Sequence, residues 1–183
     1  GSCLGIVAGY YGKWLDNLEL IDDAAYNERL HRMWPVIVWW GLEVYVDFWE
    51  RSGRRWLPSD PSPQNVIIPR HDYHQGARIK NITDRKAVSS AWEIIVGFRR
   101  RFVERVCFHH PVFENLGDDH CLFHPFLEVL GEEQGLEVLQ QAWHQAQKSK
   151  QYPEFSHQLQ HYLEDTWRQG FRPRRYYSAV QRY

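Results

Sequence analysis

The sequence predicts an all-α fold: a single-domain helical bundle of about five to seven helices with one long Pro-rich loop. Three observations carry that expectation. Val88, Trp92, Ile95, Phe98, Phe102 and Val106 recur at helical spacing as one apolar stripe. Phe155, Leu159, Leu163 and Trp167 follow one another four apart. The stretch 53–82, by contrast, collects Pro58, Pro61, Pro63 and Pro69 with Ser59, Asp60 and Ser62 between them, the composition of a connection rather than of a helix.

Taken in order, Gly1 and Ser2 read as a cloning remnant, which leaves 3–183 as the expected domain. From Asp22 the sequence is rich in helix formers, with acidic residues where they complement the helix dipole. Pro35 is expected to interrupt that helix and open the next. Leu42, Val44, Val46 and Phe48 alternate with Glu43, Tyr45, Asp47 and Trp49 as in a half-buried strand, but a helix is favoured, in which Trp39, Leu42, Val46 and Trp49 share a face and Asp47 and Glu50 stand four residues before Arg51 and Arg54. Gly53 follows its end. Within the long loop 53–82, the segment from Val66 to Ile79 has the composition of a short strand pair, although Pro69 is foreign to a central strand. Thr83 or Asp84 is expected to cap the long helix that carries the apolar stripe, and Pro111 to stop it. Short helices then end near Gly131, carry Leu136, Leu139 and Trp143 inward, and open at Pro153 to close at Gly170. The tail 171–183 is basic and aromatic.

Composition narrows the function classes. A net charge of −1 with neutral histidines gives no global attraction to polyanions, so any contact with nucleic acid must be local. Nine Trp, ten Tyr and nine Phe exceed what a core of this size requires, which leaves aromatics for a surface or a cleft. Three cysteines cannot all pair within one chain, which points to a reducing compartment and the cytoplasm. A run of about 18 uncharged apolar residues is absent, so no membrane span is expected.

The densest chemistry lies between Cys107 and His124, which holds two of the three cysteines and four of the ten histidines. Cys107 and His110 repeat the spacing of Cys121 and His124, a C-x2-H pair, ten residues, then C-x2-H again. Thiolate and imidazole in two close pairs are a donor set for a structural zinc. The alternative is a cysteine packed as a small apolar residue with histidines capping the helix end. Asp118, Asp119 and His120 are further metal-binding types, suited to zinc or iron with an open position. His71, Asp72 and His74 make a second cluster in the long loop, where a solvated role is the simpler reading. A chemical centre, if there is one, is expected where Arg105, His110, Asp119 and His124 converge.

Arg105 and His110, at the end of the long helix, form an Arg-x4-His pair that resembles the motif of HEPN-type ribonucleases. The resemblance covers this motif and the helical class. It implies an arginine that holds the scissile phosphate, a histidine that moves the proton, and a dimer.

The remaining signal is basic. Arg99, Arg100 and Arg101 on the long helix, and Arg172, Arg174 and Arg175 beside Tyr176 and Tyr177 in the tail, combine phosphate contact with stacking surface. The expected function is therefore a helical binding or interaction module, a subunit or terminal domain of a larger assembly that contacts RNA or single-stranded DNA. The same aromatics and arginines also suit a protein partner or a homo-oligomer. The alternatives are a metal-free ribonuclease using Arg105 and His110 and a metal-dependent hydrolase in the 107–124 segment.

Overall fold

The computed structural model describes residues 24–62, 65–67, 78–79, 84–109 and 120–171, with side chains from residue 34 onward except at 67, 78, 106, 108, 109 and 120. It is mostly helical, in agreement with the sequence, but two short strand pairs accompany the helices. Among the described residues no helix is long and apolar enough to cross a membrane.

Helix α1 runs from Ala24 to Arg51 with Pro35 inside it. The expected break at Pro35 does not occur. Proline removes one intrahelical hydrogen bond and costs about 3 kcal/mol. Trp34, Ile37, Val38, Trp39 and Trp40 are each at most 2% exposed, and burying such side chains contributes about 1.5–3 kcal/mol apiece, so packing outweighs the local fault. Along 36–42 every residue is buried, which makes α1 the central helix. Its exposed end carries the expected i,i+4 ion pairs, Asp47 with Arg51 at 2.9 Å and Glu50 with Arg54 at 2.7 Å.

The chain leaves α1 through Gly53 and Arg54, both at positive φ. Arg54 is held in that unfavourable conformation by Glu50, by Gln134 Oε1 at 2.7 Å and by the face of Trp49. Strand β1 (Trp56–Pro58) then pairs antiparallel with β4 (Arg85–Ala87), with Leu57 opposite Lys86. Between them β2 (Val66–Ile67) pairs with β3 (Arg78–Ile79), the strand pair expected of the Val66–Ile79 segment. Trp49 Nε1 donates to the Val88 carbonyl at 3.2 Å and ties α1 to the strands.

Strand β4 corrects the expected helix start. Residues 85–87 satisfy their backbone groups across the strand pair, and Ser90 caps α2 (Ala91–Phe98) by accepting the Glu93 amide. Glu93 in turn accepts from the Ser89 amide and hydroxyl. A single π-helical turn, Arg99–Val103, joins α2 to α3 (Glu104–His109), the Glu104 amide reaching the Arg99 carbonyl. The expected helix thus begins later and widens in the middle.

Helix α4 (His120–Leu130) packs along α1, α5 (Glu132–Lys148) along α4, and α6 (Glu154–Gln169) along α5, while α2 also meets α5. Leu139 is fully buried, as expected; Leu136 and Trp143 are only half-buried. In α6, Phe155, Leu159 and Leu163 are buried but Trp167 is 55% exposed, so the apolar stripe ends one turn early. Gly170 closes α6 at positive φ.

Candidate functional site

The π-helical turn separates the roles of three consecutive arginines. Arg99 turns inward: its guanidinium lies 4.6 Å from the Phe155 ring centroid and 5.6 Å from that of Tyr152, with Glu104 Oε1 3.9 Å from Nε. Tyr152 sits at positive φ. Desolvation, then a hydrogen bond to Glu104, pushes its hydroxyl up to about 12, against the opposing influence of Arg99 and Arg100. Arg99 is therefore a packing element that joins the π turn to the start of α6.

Arg100 and Arg101 are exposed, and so is Arg105 in α3. Arg101 donates from Nη1 to the Ser59 carbonyl at 2.6 Å and otherwise faces solvent. Among the described residues none of these three forms an ion pair. Arg51, Arg54 and Arg168 each stand beside a carboxylate four residues earlier. Arg100, Arg101 and Arg105, like the exposed Arg55, Lys148 and Lys150, form no ion pair among the described residues; what distinguishes the three is that they lie within six residues of one another.

The Cys/His segment is only partly described. Cys107 is half-buried in α3, and Cys121 and His124 are buried in α4. His110, Asp118, Asp119, His71, Asp72 and His74 lie outside the described residues, as do Arg172, Arg174, Arg175, Tyr176 and Tyr177; His120 begins α4 with its side chain undescribed. Among the described residues no three His, Cys, Asp or Glu side chains are grouped so as to hold a metal ion.

His124 is instead built into an aromatic enclosure. Its ring lies between Trp39, 4.6 Å away centroid to centroid, and Phe171, 4.7 Å away. Nδ1 is 2.9 Å from the Tyr162 hydroxyl, a buried hydrogen bond between α4 and α6, and Nε2 is 3.8 Å from Glu128 Oε1. With Nδ1 engaged by Tyr162 and Nε2 faced by Glu128, the described surroundings of His124 do not supply a tetrahedral zinc set. The His124–Glu128 spacing is visible in the sequence as an i,i+4 pair. Nothing local marks Tyr162, 38 residues on, as the second partner.

Tyr162→Phe keeps the ring and deletes the hydroxyl. The His124 Nδ1 then loses this buried bond, and a loss of about 1–3 kcal/mol is expected in urea unfolding, without change in helical content. His124→Phe in the same background should cost less than it does alone, because the bond that the two positions share is already gone.

Comparisons with protein-family models, with curated proteins and with solved structures find no match to this chain.

Proposed function

We propose that the protein is a helical binding module that holds single-stranded RNA or DNA against the surface formed by Arg100, Arg101 and Arg105. The observation behind this reading is three exposed arginines within six residues that have no carboxylate partner among the described residues, where Arg51, Arg54 and Arg168 are each paired. An uncompensated group of guanidiniums offers bidentate donors to phosphate, and releases counterions from a strand when it binds. The tail residues Arg172, Arg174, Arg175, Tyr176 and Tyr177 extend the same chemistry by adding stacking surface.

The test is fluorescence anisotropy with a labelled unstructured 20-nucleotide RNA. Binding at low salt that weakens steeply as salt rises supports the module; no binding at low salt removes it. The same incubation tests the alternative. Arg105 is exposed in the first turn of α3, where it is accessible to a phosphate. Cleavage of the RNA that disappears in His110→Ala would favour that enzyme over a passive binder, and intact RNA leaves the binding module as the reading.

A further inference from the structure

We propose that Trp56 is the platform on which a base of the bound single strand stacks, with Arg55 and Arg85 beside it for the flanking phosphates. This role rests on the nucleic-acid reading and adds to it a group that meets bases, since Arg100, Arg101 and Arg105 supply charge for the backbone. Trp56 is 44% exposed at the start of β1. Its backbone is fixed twice. It pairs with Ala87 across the strands, and the Ser52 hydroxyl accepts from its amide at 3.0 Å and donates to its carbonyl at 3.1 Å.

Residues directly opposite in an antiparallel pair share a face, so Trp56 and Ala87 lie on one face with Pro58 and Arg85 next along it. Ala87 is exposed, and its methyl group is too small to cover an indole. Leu57 and Lys86 take the opposite face, where Lys86 Nζ approaches Gly97 of α2. The large ring is thus held open on a rigid backbone and not folded against its neighbours.

An exposed ring does not by itself choose an occupant, but the charge around it does. Along 55–59 and 84–88 the cations Arg55, Arg85 and Lys86 stand against one carboxylate, Asp84, at the far end from Trp56. Arg55 is exposed and forms no ion pair among the described residues. Arg85 is exposed too, its guanidinium 5.8 Å from the Phe48 ring centroid. Arg101 reaches the same strand through the Ser59 carbonyl, three residues past Trp56, which is about 10 Å at about 3.3 Å per residue. The indole is therefore continuous with the arginine surface. Trp167, 55% exposed on α6, is the useful contrast: Glu164 and Asp165 precede it, and Glu164 already pairs with Arg168. A polyanion is favoured at Trp56 and disfavoured at Trp167. An aromatic face flanked by cations is the combination that holds single strands with little regard to sequence.

The test is anisotropy with the same labelled RNA and with an abasic strand of equal length. Trp56→Ala, with circular dichroism matching wild type, should weaken RNA binding by about 5- to 100-fold. Its affinity for the abasic strand and its salt slope should equal those of wild type, because no charge is lost. Trp56→Phe should keep most of the RNA affinity, and Trp167→Ala should change nothing. A folded Trp56→Ala that binds RNA as tightly as wild type, or that loses equally on the abasic strand, would overturn the proposal. RNA binding that needs Arg100, Arg101 and Arg105 but not Trp56 removes this role alone. Wild type that binds neither strand removes the nucleic-acid reading and this role with it.

Discussion

Gly135→Ala is expected to destabilise the protein by about 2–3 kcal/mol, even though alanine is the better helix former. Gly135 is where α5 touches α4. A Cβ placed there would stand 2.7 Å from Leu127 Cα, 3.0 Å from Leu127 N and 3.0 Å from the Phe126 carbonyl oxygen. All three atoms are backbone, so no side chain can swing aside and one helix must move. The propensity gain of about 1 kcal/mol is outweighed by overpacking that costs typically about 1–3 kcal/mol and more when backbone is displaced. The shift would propagate, because Phe126 and Leu127 are at most 1% exposed and belong to the same core as Trp39. Urea unfolding of Gly135→Ala beside wild type checks this. An unchanged midpoint would mean that α4 and α5 stand far enough apart at this point to admit a methyl group.

Phe102→Ala should cost about 3–5 kcal/mol, the range for deleting a fully buried aromatic ring. Phe102 lies in the π-helical turn, fully buried, stacked on Phe98 at 4.5 Å and 15°, with the Trp34 ring 6.1 Å away. The cavity would open directly against α1, where Gly41 allows both rings to pack onto the helix backbone. A second effect is expected. The π turn persists because Phe98 and Phe102 both keep the core while Arg99 reaches Phe155, and loss of one ring removes the anchor that holds the wider turn. Lower thermal stability should therefore be accompanied by weaker binding of single strands, since the same turn presents Arg100 and Arg101. Binding equal to wild type at a temperature where the variant is folded would separate the turn from the surface.

The sequence and the structure agree wherever a local pattern decides the outcome. The i+4 series Phe155, Leu159 and Leu163 and the stripe Trp92, Ile95, Phe98 and Phe102 read correctly because amphipathic helices declare themselves through spacing, although Trp167, the last of its series, is exposed. Asp47–Arg51 and Glu50–Arg54 are visible for the same reason. The departures are non-local. Pro35 argues for a break, and only the burial of Trp34 through Trp40 on several helices at once overrides it. Residues 85–87 carry no strand signature of their own; they pair because β1 presents unsatisfied backbone groups beside them. The π turn adds one residue to a helical repeat, and the spacing of Phe98 and Phe102 fits both an α and a π turn, so periodicity could not reveal it.

The candidate sites divide in the same way. The arginines are legible as a run of three, but their division into an inward Arg99 and outward Arg100 and Arg101 depends on Phe155 and Tyr152, more than 50 residues away in sequence. The Cys/His spacing points to His124, and the groups found around its ring include Trp39, Tyr162, Phe171 and Glu128, which no local pattern in the sequence joins to it apart from Glu128.

The most direct measurement for the binding reading is the salt dependence of single-stranded RNA affinity for wild type and for the triple variant Arg100→Gln, Arg101→Gln, Arg105→Gln. Each phosphate that no longer meets an arginine should lower the slope of log affinity against log salt by about 0.7. The account predicts weaker binding and a slope reduced by about 2 in a variant whose circular dichroism matches wild type. A folded triple variant with unchanged affinity and slope would contradict it.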